Sequence, residues 1–506
     1  MYGNPIRECA VENEGASSRP IVRRRKGLTI ACAPSTRVVA WPLLWRALPR
    51  CAAKSVVLEV QVSKPRVFHL GKIFVCCVFM CALALAADQK SPTKLSDLPP
   101  EAQQAISAAL ARKSPRIQNF TLTASDGAND DLFGMFVAID GNTAVVGASL
   151  AEHGLGVAYV FVKPPSGWAN MTQTAELTSS DGAGCFGCSV AISGDTIVIG
   201  ATAATINGNG AQSAVYVFVE PPTGWTNMTE TAKLIASDGE PESYFATGLA
   251  ISGDTIVAGA PGISGYPMPG KAYVFVEPNG GWVDMTQTAE LTPSDGFDID
   301  NFGFSVSLSE DTAVVGAPSD GDGGSKPGRA YVFAEPTGGW TNMTQTAELT
   351  PSDGQVGYLF GISVSISGAA VVVGSPGRPD GGGAYVFVEP NGGWANMKQT
   401  AGLQSGTSTS CMGDSTSIDG SVIIAGATCS SGLKGAAFVF LKPSGGWRNS
   451  SKPTLRLSIP FTYGQDYFGS SVAISGTTAL VGAPYAPTTP ACCQPGPGEA
   501  FVFTEK

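Results

Sequence analysis

Beyond residue 87 the chain holds one histidine, His153. A Ser-His-Asp or Cys-His relay moves its proton through an imidazole, so any such relay must use His153. No nucleophile elbow accompanies it, and the same count excludes a histidine metal cluster. Carboxylates are plentiful, and a pair of them could act on a glycosidic bond. None stands out from the recurring Asp-Gly background, so no catalytic residue is expected and the chain is read as non-enzymatic. The Gly-rich stretches join strand-like runs to each other rather than a strand to a helix, which excludes a phosphate-cradling loop.

Six cysteines follow residue 87: Cys185, Cys188, Cys411, Cys429, Cys492 and Cys493. Cys185-Phe-Gly-Cys188 has Cys-x-x-Cys spacing, but a redox motif opens a helix and this one opens a strand-like run. A zinc site needs a second pair, and only Cys492-Cys493, in a distant repeat, could supply it. A local disulfide or two free thiols remain. Cys411 and Cys429 flank a hairpin whose turn, Asp419-Gly420, lies nearly midway between them. Antiparallel pairing brings their Cα atoms within the roughly 4.4–6.8 Å that a disulfide tolerates, so a bridge is predicted there.

Ser294-Asp295-Gly296, followed by Asp298 and Asp300, could hold a cation. Asp-Gly recurs where a turn is needed anyway, and the turn is the reading adopted. Asn119, Asn170, Asn227, Asn342 and Asn449 begin glycosylation sequons. Three share one repeated phrase, Asn-Met-Thr, which is equally explained as inherited turn chemistry. Trp168, Trp225, Trp282, Trp340, Trp394 and Trp447 recur at one place in the repeat, and packing explains them more simply than an aromatic binding ring.

These residues are set by a repeat. Phe302-Gly303, an alternating run, then Gly316-Ala317-Pro318 and Arg329-Ala-Tyr-Val-Phe recur along the chain. The glycine of the Gly-Ala element stands at 147, 200, 259, 316, 374, 426 and 482, giving seven copies. Each copy reads as four short strands, the first two joined by a tight turn such as Ser193-Gly194-Asp195. Seven four-stranded units predict an all-β, seven-bladed β-propeller. The last copy lacks its fourth strand, and an unpartnered one, Phe120-Thr-Leu-Thr123, precedes the first. If it completes the seventh blade, the termini latch the ring and remove two open edges.

The Phe-Gly and Gly-Ala-Pro pairs resemble FG-GAP repeats, the blades of the integrin α-subunit propeller, and most closely their bacterial-type variant. The resemblance spans about residues 118–506. It drifts at Phe245-Ala246 and Gly374-Ser375-Pro376, and Cys411-Met412-Gly413 replaces Phe-Gly in one copy. Integrin blades carry a calcium loop between these two elements. Here the connection is only Ser-Gly-Asp-Thr or similar, too short for the six to eight oxygens that calcium takes. Calcium is therefore not carried over, and no cofactor is expected.

Upstream, residues 63–86 read as a signal peptide: Lys64, Arg66 and Lys72, an apolar run, then a small-residue cleavage pattern ending at Ala86. The apolar run is shorter than the ~20 residues of a spanning helix, so no stable span is expected after cleavage. Residues 1–62 form an Arg-rich leader, read either as upstream sequence that is not translated or as a genuine basic leader. Residues 87–117 read as a spacer with a short helix. Residues 1–87 hold 13 basic and 4 acidic side chains; the remainder holds 18 and 37, a net of −19. So acidic a body repels phosphate backbones, which argues against nucleic acid.

The 2–3 loops vary most between copies, and they share one face of the ring with the 4–1 loops. Recognition on a rigid repeat scaffold sits in such loops. The expected function is a secreted or cell-surface binding or adhesion module that recognises extracellular protein or glycan. The alternative is a secreted glycan-active enzyme or a non-catalytic subunit of one.

Overall fold

A run such as Val157–Val162, Val-Ala-Tyr-Val-Phe-Val, is apolar on both faces. A strand of that kind needs cover on both sides, and an alternating strand such as Phe136–Asp140 needs it on one. A ring of radial sheets meets both needs, and the computed structural model has that form. It describes residues 117–206, 212–239, 243–262, 270–295, 300–318, 327–408, 410–459, 465–487 and 496–505. The leader, the signal peptide with Ala86, the spacer up to residue 116, Asp298, Cys492 and Cys493 lie outside the described residues.

The strands form seven sheets. In the first blade, Phe136–Asp140, Thr143–Ala148, Val157–Val162 and Ala175–Thr178 pair antiparallel in that order. The seventh is built from both ends of the described chain. Val472–Ser475, Thr478–Ala483 and Glu499–Glu505 supply three strands, and Ile117–Thr123 is the fourth. Phe120 lies opposite Val502 and Leu122 opposite Ala500. The first strands of successive blades lie side by side, and that of the seventh lies beside that of the first.

The core is not within blades but between them. Val145, Val160 and Leu177 of the first blade pack with Ile199, Tyr216 and Phe218 of the second. Seven such layers alternate with the seven blades. The closing layer sets Leu480 and Val502 against Val146 and Phe161. Each recurring Phe is at most about 1% exposed and meets two aromatic rings of its own third strand, as Phe302 meets Tyr331 at 5.4 Å and Phe333 at 5.9 Å and Phe468 meets Phe501 and Phe503. Burying one such side chain stabilises by about 1.5–3 kcal/mol.

The recurring glycines meet across blades. A Cβ on Gly147 would lie 2.3 Å from the carbonyl oxygen of Gly187 in the next blade, so no larger residue fits. Gly187 itself has φ 86°, a left-handed conformation that glycine adopts without steric cost. At the opposite ends of the first strands a second ring forms. The last side chain of each first strand accepts a backbone N–H from the turn of the next blade: Asp140 from Gly194, Ser193 from Gly253, Ser252 from Glu310, and so round to Ser475 from Gly141. Ser309, Ser367 and Asp419 complete the seven. This accounts for the Ser or Asp that opens each short turn.

Each Asn-Met-Thr phrase leaves its own blade and pairs in parallel with the fourth strand of the preceding one. Met171 lies opposite Leu122 and Met228 opposite Leu177. No helix among the described residues is long and apolar enough to cross a membrane.

Candidate binding face

On the 2–3 and 4–1 loop face, the residue before each Phe-Gly element has a left-handed backbone in all seven blades. These are Leu132, Cys185, Tyr244, Asn301, Leu359, Cys411 and Tyr467, with φ between 50° and 60°. Only Asn301 is of a type that visits this region readily; the others cost on the order of 1 kcal/mol each. The turn sends the Phe inward. Tyr244 and Leu359 are left exposed at 42% and 38%.

Nine large apolar side chains are exposed among the described residues. Six of them, Leu150, Leu155, Tyr244, Phe304, Val356 and Leu359, lie on or beside these loops, so exposed apolar surface concentrates on one face.

The Ser-Asp-Gly aspartates also lie here, and each described contact is with a neighbouring blade. The Tyr216 hydroxyl donates to Asp181 at 2.9 Å, and Lys233 bonds the same carboxylate with its ammonium 5.3 Å from the Tyr216 ring centre. Lys271 reaches Asp238 at 2.6 Å and Glu290 at 3.2 Å. Arg329 bonds Asp295, and its Nε lies 3.3 Å from Glu348. Arg378 meets Asp353 at 2.8 Å. Burial alone would raise Asp181 and Asp238, but the bonds from lysine and tyrosine outweigh it and hold both carboxyls below their usual range.

The first and seventh blades differ. The Tyr159 hydroxyl donates to Asp126 at 3.1 Å, and no lysine or arginine among the described residues bridges to that carboxylate. Burial, then the Asp126 charge, push the phenol up. Burial also raises Asp131, aided by Asp126, Glu152 and Asp130 and opposed by the Ala128 N–H. Asp466 is 2% exposed and its Oδ2 has no hydrogen-bond partner among the described residues. Burial and the nearby Asp466 charge push Glu499 up to about 7.

Cys411 and Cys429 are joined by a disulfide, with Cα atoms 5.3 Å apart. It lies in the sixth blade, where Met412 replaces the recurring Phe and no aromatic pair forms on it. Cys185 and Cys188 form a local disulfide around Phe186, where the first strand of the second blade carries a bulge. The six tryptophans are 4–8% exposed and belong to the inter-blade layers. His153 has left-handed φ 61° within the short turn Ala151–Gly154. No group of three or more His, Cys, Asp or Glu able to hold a metal occurs among the described residues.

The sequons have a structural use that the sequence reading missed. Asn170 Oδ1 accepts the N–H of Thr121 at 2.9 Å, and Asn227, Asn342, Asn396 and Asn449 do the same for Glu176, Glu290, Glu348 and Gly402. Asp284 substitutes at Lys233. Three residues on, Gln173 both accepts the Ser125 N–H and donates to its hydroxyl. The signal was the recurring Asn-or-Asp followed three residues on by Gln or Glu, present in five of the six phrases and required by neither a strand nor a turn.

A family model described as FG-GAP repeat matches residues 118–161, 171–218, 228–275, 285–333, 343–387 and 463–503, over half of the chain. The chain belongs to the FG-GAP repeat family. The repeat left unmatched is the sixth, where Cys411-Met412-Gly413 and the disulfide stand in for the Phe-Gly element. No curated protein matches. Among solved structures, that of the Dos1 propeller is similar to this FG-GAP chain with 13% identity and a TM-score of 0.42, covering 76% of this chain and 94% of the other.

Proposed function

We propose that this FG-GAP propeller is the binding module of an exported protein, and that it recognises an extracellular protein or glycan through its 2–3 and 4–1 loop face. The concentration of exposed apolar side chains on that face carries the reading: six of the nine lie there, on a frame rigidified by seven inter-blade layers. Such patches mark interaction surfaces when they cluster. Two disulfides favour an oxidising compartment. The reading involves no turnover and no cofactor. The test is an array of glycans and extracellular proteins probed with the full chain. Retention of a partner unchanged supports it; cleavage of an arrayed glycan, or no retention of any partner, counts against it.

A further inference from the structure

We infer that Asn170, Asn227, Asn342 and Asn449 carry N-linked glycans, which cover the outermost strands of four blades. This goes beyond the proposed recognition and shares with it only the export of the chain.

Each of the four begins a sequon, completed two residues on by Thr172, Thr229, Thr344 or Ser451. The four asparagines and the four hydroxyl residues are all exposed. The side-chain amide has two ends, and the fold uses one. The Oδ1 of each asparagine accepts a backbone N–H of the preceding blade at 2.8 or 2.9 Å. Its Nδ2 makes no hydrogen bond among the described residues. Glycan transfer uses that nitrogen. The Nδ2 bonds the anomeric carbon of an oligosaccharide as the bond from that carbon to a lipid-linked pyrophosphate breaks. The pyrophosphate leaves with the electron pair, and the amide gives up one proton. The product keeps its carbonyl oxygen, so one side chain can hold both the glycan and the inter-blade bond.

All four stand at blade rims. The two-residue strands Met171–Thr172, Met228–Thr229 and Met343–Thr344 are the outermost of the seventh, first and third sheets. In the fifth blade Ser450, bridged to Leu403, holds the same place. An outermost strand leaves a row of backbone groups open to pairing with a second sheet. The two matching rims that lack a sequon carry a charge instead. Asp284 takes the asparagine's place before Met285–Thr286, and Lys398 takes the threonine's place after Asn396. Charge on an edge strand, lysine above all, opposes edge pairing, and a bulky, solubilising glycan opposes it too. Every rim that the phrase reaches among the described residues is thus provided with a sequon or a charge. The fifth sequon, at Asn119, lies inside the latch strand opposite Phe503 and belongs to no rim.

The test uses the full chain secreted by a eukaryotic cell line and treated with peptide N-glycosidase in heavy-oxygen water. That enzyme converts each glycosylated asparagine to a heavy aspartate, which peptide mass reads out. Label is expected at Asn170, Asn227, Asn342 and Asn449 and not at Asn396. Lys398→Thr completes the sequon of the fourth blade and should add label at Asn396. Thr344→Ala should lose the label at Asn342 while keeping its Oδ1 bond, and with it the thermal midpoint. The combined variant Thr172→Ala, Thr229→Ala, Thr344→Ala and Ser451→Ala should shift to larger species in size-exclusion chromatography as bare edges pair. A secreted chain bare at the four positions would overturn the inference; if it still retained an array partner, the proposed function would stand. A combined variant with the oligomeric state of the wild type would overturn the covering role. A chain that is not secreted would remove the export on which both readings rest.

Discussion

At the scale of single residues, the sixth blade shows one interaction doing another's work. Where five other blades carry a Phe packed on a Tyr and a Phe, and the seventh a Phe packed on two, this one has Met412 beside a disulfide. Closing a loop of this length stabilises by about 3 kcal/mol. The double variant Cys411→Ser with Cys429→Ser should lose roughly 2–4 kcal/mol in denaturant unfolding, and reductant should lower the wild type further than the variant. Glu499 gives a pH signature. Its folded carboxyl titrates near 7 against an ordinary 4.5, held up by burial and Asp466. Exposed Lys434 acts on Asp466 in the opposite sense. A raised carboxyl favours the folded state fully below pH 4.5, and that contribution is lost as pH rises through 7. Glu499→Gln should flatten the fall in thermal midpoint between pH 4.5 and 7. An unchanged slope would show that Glu499 does not set it.

At the scale of elements, the four-strand repeat was legible because its periodicity is strict. Alternating runs such as Ser305–Ser309 and glycine turns repeat seven times, and the sequence also placed the Cys411–Cys429 hairpin correctly in space. The overlap of neighbouring fourth strands was not legible. Two-residue pairings such as Met343–Thr344 against Leu291–Thr292 are too short to show as a strand pattern. Their register depends on a side chain, Asn342, reaching another blade. Asn342→Ala should cost about 1 kcal/mol, the net worth of one hydrogen bond. Asn342→Asp should be nearly neutral, because Asp284 already fills the matching place in the third blade. Equal losses from both, measured by chemical unfolding, would show that the amide nitrogen rather than the oxygen matters. The Asp-Gly stretches were legible as turns. Their bonds to Tyr and Lys or Arg were not, because the partners lie 25 to 52 residues away and in three different sequence positions.

At the scale of the whole molecule, closure depends on the seam between the chain's last strand and Ile117–Thr123. Gly482 of the seventh blade faces Gly134 of the first, and an added Cβ would lie 1.8 Å from the Gly134 carbonyl oxygen. Gly482→Ala should therefore open the junction between the seventh and first blades, and oligomers should appear in size-exclusion chromatography as strand edges are exposed. Gly141→Ala, at a turn with open space around it, should stay monomeric to the extent that the wild type does. Those edges, and the ring itself, followed from the odd strand at each end of the repeats. The exposed apolar side chains on the proposed binding face did not follow from sequence, because exposure at Tyr244 and Leu359 depends on the left-handed turn before each Phe.

The most direct measurement compares two variants for retention of an array partner. One carries Tyr244→Ser and Leu359→Ser on the loop face; the other carries Val283→Ser, a 52% exposed side chain in a 3–4 turn on the opposite side. The loop-face variant should lose at least about tenfold in affinity with an unchanged thermal midpoint, as expected for truncated anchors, while Val283→Ser binds like the wild type. Loss of binding by Val283→Ser alone would place the interaction on the other face and contradict the account.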